Sequence, residues 1–183
     1  MYKTIIKVFI SMMVLYPTIL VNAGELIDEG QIRETVNKVI GYIINNEPKM
    51  FLKMLPSEYN IMVGTDQWLK KCEIEKEFSK KGRYYLRLFD THGFNGYRLK
   101  HYKSNRKGRV FKKMNSIRDD LIIAKMKNLR IKLIQQPYKT VELVNVILTW
   151  DGKESVDKGG SNYSLHLEKI KGKWWLVDIV IRD

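Results

Sequence analysis

Two residues near the end of the chain have the side chains of an acid–base pair. His166 and Asp178 fall in neighbouring apolar-rich runs, Asn162–Glu168 and Lys173–Arg182, which read as the arms of a hairpin. A carboxylate beside an imidazole orients the ring and raises its basicity, so the pair has the parts of a general base. Tyr163 and Trp150 are candidates to line the same region. The plain alternative is two surface residues on a half-exposed strand. Other chemistry is scarce. His92 and His101 sit in the polar middle of the chain, and with Cys72 as the single cysteine no metal-ligand spacing emerges. Gly159-Gly160 reads as turn chemistry between strands rather than a phosphate-cradling loop. No nucleophile motif is visible and no cofactor is implied.

Charge is the sharpest local signal. Between Thr91 and Arg118 there is no acid, while Arg98, Lys100, Lys103, Arg106, Lys107, Arg109, Lys112, Lys113 and Arg118 are all basic. Tyr97, Tyr102 and Phe111 interleave with them. The stretch reads as a hairpin turning at Ser104–Gly108. Arg98 to Lys113, with Tyr97 and Tyr102, is therefore the candidate binding surface, because clustered cations attract polyanions and aromatic rings stack on their planar parts. A solvated loop in a lysine-rich chain is the bland alternative.

The elements that position these residues follow from periodicity. Ile32, Val36, Val39, Ile40, Ile43 and Ile44 recur at helical spacing, which predicts a helix over Gln31–Asn46. Pro48 opens a short second helix ending before Pro56. Thr65 or Asp66 is expected to cap a third helix, Gln67–Lys80, with Trp68, Leu69, Cys72 and Phe78 facing inward. Arg83–Asp90 fits strand and helix equally. Asp90–Gly96 reads as a turn-rich loop. Ser116, with Asp119 and Asp120, caps a short helix running to Lys127. Strands are expected over Leu129–Gln135, Thr140–Trp150, Asn162–Glu168 and Lys173–Arg182.

The last two strands allow two registers around Lys171-Gly172. A two-residue loop sets Ile170 opposite Lys173. A three-residue bulged loop sets Lys169 opposite Lys173 and gathers Tyr163, Leu165 and Leu167 with Trp175, Val177, Ile179 and Ile181 on one wholly apolar face. A one-residue slip exchanges core for solvent, so the bulged loop is the expected register. It leaves His166 and Asp178 diagonal to each other on the second face, with Trp174 and Leu176.

At the other end, Lys3 and Lys7 precede an apolar run, Val8–Val21, and Val21-Asn22-Ala23 supplies small residues at a cleavage site. These are the three parts of a secretory signal peptide, residues 1–23. The run is short of the roughly 20 residues a membrane span needs. Cleavage leaves 160 of the 183 residues, residues 24–183, enough for one domain with its own core. Without Lys3 and Lys7 the chain keeps 31 bases against 20 acids, a net +11. The expected location is exported, periplasmic or secreted. One cysteine excludes an internal disulfide, so packing must stabilise the domain, with Cys72 expected as a small buried residue.

Helices first and strands after make an α+β pattern, with helices packed on a curved antiparallel sheet. Its N-terminal amphipathic helix, its short second helix near Asn46-Glu47-Pro48 and its ending Leu167-Glu-Lys-Ile-Lys-Gly-Lys-Trp-Trp-Leu-Val-Asp178 resemble the cone-shaped, cystatin-like superfamily of nuclear transport factor two, ketosteroid isomerase and scytalone dehydratase. That superfamily hosts enzymes, carriers and binding domains, and its enzymes place acid–base residues inside the cone. The resemblance therefore leaves three readings. One is an exported, non-catalytic binding domain engaging an anionic partner, whether lipid headgroups, a cell-envelope polymer or a glycosaminoglycan; nucleic acid is less expected outside the cytoplasm. Another is an isomerase, dehydratase or hydrolase using His166 and Asp178. The last is a peripheral module on anionic membrane.

Overall fold

The computed structural model describes residues 28–63, 67–102, 113–136, 142–150 and 163–181. The expected signal peptide lies outside these residues. Helix α1, Glu29–Ile44, buries Ile32, Val36, Val39, Ile40 and Ile43 on one face. Its solvent face carries the one-turn ion pairs Arg33–Glu29 and Lys38–Glu34, both at 2.6 Å. Asn46 adopts a left-handed φ of 58° and the Glu47 amide returns to the Tyr42 carbonyl at 2.8 Å, which closes the helix end. Pro48 then opens α2, Pro48–Leu52, whose Phe51 is fully buried.

Two short strands follow that the sequence reading did not anticipate: β1, Asn60–Val63, and β2, Leu69–Lys70. The third helix is shorter than expected. α3 spans Lys71–Ser79, with the Glu73 carboxylate accepting from the Lys70 amide at 2.8 Å. Ile74 and Phe78, one turn apart, face the core. Trp68 and Cys72 do not; both are exposed, because a strand and not a helix precedes Lys71.

Arg83–Asp90 resolves as helix α4, Arg83–Phe89. Tyr84 with Leu88, and Tyr85 with Phe89, each sit one turn apart, and Phe51, Phe78, Tyr85 and Phe89 form one aromatic cluster with ring centroids 5.3–6.1 Å apart. The turn-rich stretch after it is also helical. α5 spans Thr91–Tyr102. Asp90 starts it by accepting the Gly93 amide at 2.8 Å. A Cβ at Gly93 would sit 2.6 Å from both the Asp90 carboxylate and the Leu86 side chain, so glycine there serves the close α4–α5 crossing. α6, Ile117–Met126, is capped as expected, with Ser116 Oγ accepting the Asp119 amide at 3.2 Å.

The strands β3 (Arg130–Gln136), β4 (Leu143–Thr149), β5 (Tyr163–Ile170) and β6 (Lys173–Ile181) join in a six-stranded sheet of order β2-β1-β6-β5-β4-β3. β3 to β6 are the expected antiparallel meander. β1 runs parallel to β6, Met62 beside Asp178 and Val63 beside Ile179, so the sheet is mixed rather than purely antiparallel. Helices cover one face of it. There Val144, Val146, Leu148, Trp150, Tyr163, Leu165, Leu167 and Ile179 join the apolar residues of α1, α2, α3, α4 and α6 in a single core. The architecture is α+β.

The hairpin register differs from the expectation. Ile170 pairs with Lys173 across a two-residue turn in which Lys171 and Gly172 both have positive φ, 51° and 78°. This primed turn matches the twist of its strands. The extra residue sits further along: Leu167 pairs with Leu176 but His166 with Asp178, so Val177 bulges out of the ladder. The bulge exchanges faces. Trp174 and Leu176 point into the core with Ile179, and Val177 lies outside that cluster.

Candidate functional site

The bulge places His166 and Asp178 directly opposite each other rather than diagonally. His166 Nδ1 lies 3.1 Å from Asp178 Oδ2. On the other side His166 faces Asn145 of β4, so the three polar residues form one row across β4, β5 and β6, with Ile134 of β3 and Met62 of β1 at its ends. Asn145 is the member sequence reasoning missed, since nothing local marks a polar residue in an apolar strand as the neighbour of a distant histidine. The Asp178 side chain is 3% exposed, that of His166 24%. Oδ1 of Asp178 and Oδ1 of Asn145 are buried and meet no hydrogen-bond donor among the described residues.

This row does not face the helices. Alternation puts Asn145, Ser164, His166 and Asp178 on the sheet face opposite Val146, Leu165 and Ile179. Trp150 and Tyr163 stack on each other on the helix side, centroids 6.0 Å apart, and the Tyr163 hydroxyl donates to Asp120 of α6. They do not line the His166–Asp178 region. An acid–base pair inside a helix-roofed cone is therefore not what the fold builds from these residues. Glu168 shares their face, and burial pushes its carboxyl above the usual carboxylate range.

The basic stretch has a different geometry from the expected hairpin. Tyr97, Arg98, Lys100 and Tyr102 lie on α5, a helix where a strand was expected. Lys113 is exposed at the start of the returning limb. Lys103, Arg106, Lys107, Arg109 and Lys112 lie outside the described residues. Asn95 joins the two limbs. Its side-chain amide donates to the carbonyls of Thr91 and Met114, both at 2.8 Å, and its oxygen accepts the Met114 amide at 3.0 Å. Thr91 adds a second tie, accepting the Ser116 amide at 2.6 Å and donating to Asp119 at 2.5 Å.

One face of α5, together with Arg83 at the start of α4, forms an open cleft of about 360 Å³ lined by Arg83, Phe94, Tyr97, Arg98 and His101. The rings of Tyr97 and His101 lie 4.3 Å apart. Both Arg98 and the buried Arg87 lie over Phe94, at 5.8 and 4.9 Å from its centroid, and Arg87 also donates to the Asn115 carbonyl. Among the described residues no carboxylate lines the cleft. Phe94, Tyr97, Arg98 and His101 follow an i, i+3, i+4, i+7 spacing, so their common face was present in the sequence; Gly93 and Gly96 masked the helix that gathers them.

A smaller depression of about 200 Å³ lies at the β5–β6 turn between Tyr59, Ile170, Lys173 and Trp175. Lys173 covers Trp175 at 4.0 Å, and Lys171 pairs with Glu58 at 2.8 Å.

No protein-family model matches the chain, and no curated protein is significantly similar to it. Among solved structures it is similar to a protein of unknown function with a cystatin-like fold from Nostoc punctiforme, at 14% identity and a TM-score of 0.38, over 86% of this chain and 91% of that one. It is similar also to the beta subunit of the benzoate 1,2-dioxygenase from Burkholderia mallei, at 9% identity and a TM-score of 0.38, over the same shares of the two chains. Neither is close enough to assign the chain to a family.

Proposed function

We propose that the protein is an exported, non-catalytic binding domain of the cone-shaped superfamily that engages an anionic extracytoplasmic partner through the basic face of α5. The observation that carries this reading is the cleft lined by Arg83, Phe94, Tyr97, Arg98 and His101, with no carboxylate among its described lining residues and with the exposed Lys100 on the same helix. Its α5 wall lies within Thr91–Arg118, a 28-residue stretch that has no acid. Residues 1–23 supply the export signal and residues 24–183 the domain. Helix-first order and the C-terminal hairpin support the superfamily, and the placing of His166 and Asp178 on the sheet face away from the helices weighs against the enzyme reading. Among the described residues no helix is long and apolar enough to cross a membrane.

The test is retention on heparin, a soluble polyanion. Binding through exposed charges weakens steeply toward physiological salt, where screening acts over about 8 Å. Reversing the exposed Lys100 and Lys113 to glutamate reduces retention and leaves the melting temperature unchanged, since exposed charges contribute little to folding. Equal retention of the variant, or none by the wild type at low salt, refutes the reading. Mass spectrometry of protein recovered from its native compartment checks the export half: an intact Met1 terminus contradicts it.

A further inference from the structure

We infer that the C-terminal end of α6 is a contact site for the surface of an anionic lipid bilayer, an inference that uses none of the α5 residues and goes beyond that reading. α6 gives Ile117, Leu121 and Ala124 to the core. Ile122, Ile123 and Met126 are surplus to it. At 3.6 residues per turn these three fall within about 100° of one another, centred on the side of the helix away from Leu121 and Ala124. Met126 is 81% exposed, more than any other large apolar side chain among the described residues, and Ile123 is 38% exposed. Ile122 is half-buried beside them. Apolar side chains exposed side by side, unlike single scattered ones, point to a surface that something covers.

Charge names the occupant. Around the helix, Lys125 lies about 100° to one side of Met126 and Lys127, the C-cap, about 100° to the other, so cations flank the stripe. Both lysines are exposed, and neither forms an ion pair among the described residues. Leu121–Gln136 contains no acid. The two carboxylates of α6, Asp119 and Asp120, sit in its first turn. Asp119 accepts from Thr91, and Asp120 from Asn115 and Tyr163. Seven residues separate Asp119 from Met126, about 10 Å along the axis. The lysines also offset the partial negative charge of the helix C-terminus, which would otherwise repel an anionic surface. Asn128, at a left-handed φ of 56°, bends the chain off the helix axis directly after this turn. An anionic bilayer uses both halves of the surface: the lysine stems reach back to keep their ammonium groups at phosphate level while Met126 and Ile123 enter the acyl boundary, about 5–10 Å deep. A soluble polyanion uses only the cations. Met126, unbranched and flexible, suits a fluid partner.

The experiment sediments the purified protein with sucrose-loaded vesicles, either of phosphatidylglycerol mixed with phosphatidylcholine or of phosphatidylcholine alone. Met126→Ser and Lys125→Gln/Lys127→Gln are compared with the wild type. All three positions are exposed, and melting temperatures serve as the folding control. The expected result is binding to the phosphatidylglycerol vesicles and not to phosphatidylcholine alone. Met126→Ser then weakens it about ten-fold, the worth of a partly buried methionine. Loss of two cations from a negative surface weakens it about thirty-fold. Equal binding to both kinds of vesicle, no binding to either, or unchanged affinity in both variants overturns the inference. So does a loss confined to the lysine variant and matched by its loss of heparin retention, since the surface is then electrostatic only. Vesicle binding that falls in Lys100→Glu/Lys113→Glu and in neither α6 variant also overturns it and gives the membrane to α5. If no heparin retention is seen while vesicle binding depends on Met126 and the two lysines, the α5 reading fails and this one stands.

Discussion

His166 and Asp178 face each other across β5 and β6 because Val177, the residue before Asp178, is squeezed out of the ladder. Without that bulge the aspartate would slide one position along and turn toward the core side. The contact at 3.1 Å is thus a product of a backbone irregularity, and it leaves a carboxylate only 3% exposed with one oxygen unpartnered among the described residues. Removing His166 strands that carboxylate; removing Asp178 as well removes the problem. In urea denaturation, His166→Ala and Asp178→Ala are each expected to destabilise, and the double variant by less than their sum, with a coupling of about 0.5–3 kcal/mol. Strict additivity means that the contact contributes nothing.

The same bulge ranks three hairpin substitutions. Leu176 is fully buried in the main core, whereas Val177 lies outside it. Leu176→Asp is expected to abolish cooperative unfolding, because it places an unpaired carboxylate among apolar side chains. Val177→Asp is expected to be milder. The graded version is Leu176→Ala, which should cost about 2–5 kcal/mol. Circular-dichroism melts decide the order, and a Val177→Asp variant that is the most damaging would contradict the register.

Glu168 supplies a dependence on pH. Burial raises its carboxyl in the folded protein above the ordinary 4.5, so the unfolded chain ionises first as pH rises. Below that ordinary value both states are neutral and the fold carries no penalty. Through the window between the ordinary and the raised value stability falls, and it stays lower above it. Glu168→Gln is therefore expected to melt higher than wild type at pH 7, with the gap closing on acidification below 4.5. A gap that widens toward acid has the wrong sign.

Asn95 latches α5 to the chain that returns at Met114 with three hydrogen bonds. Asn95→Ala removes all three and leaves the Met114 amide and carbonyl to find water. A loss of about 1–3 kcal/mol is expected. Hydrogen exchange should show the Met114 amide losing protection while β4 and β5 keep theirs. Uniform loss across the sheet would mean that Asn95 is coupled to global unfolding rather than to this latch.

How much of this could be read beforehand depended on whether the deciding interaction was local. Ile32, Val36, Val39 and Ile43 name α1 unaided, and Ser116 with Asp119 names the start of α6, because helix faces and caps are written within a few residues. β3 to β6 were legible for the same reason. β1 was not, because Asn60–Val63 is a strand only by lying alongside Asp178 and Ile179, more than a hundred residues away. α5 was hidden by Gly93, Asn95 and Gly96, turn-forming residues used here for a close helix crossing and a tertiary latch. The register failed because both faces of β6 are rich in apolar side chains, so pattern alone could not show that the ladder shifts at Val177. In the basic stretch, residue types were visible, but the Phe94–Tyr97–Arg98–His101 face required the helix, and Arg83 required the α4–α5 crossing.

The sheet order has one more consequence, for self-association in vitro. Its two margins are unequal. On one side β2 is two residues long and offers almost no backbone for a foreign strand to pair with. On the other, β3 is the outermost strand among the described residues, with seven residues of extended chain. A long open margin of that kind templates strand addition and fibril growth unless charge discourages it. Arg130 and Lys132, both exposed, place two positive charges along it, and a second copy arriving edge to edge would bring two more. The basic character of the chain thus also acts along this margin, as the repulsion that keeps one sheet from becoming the seed of the next.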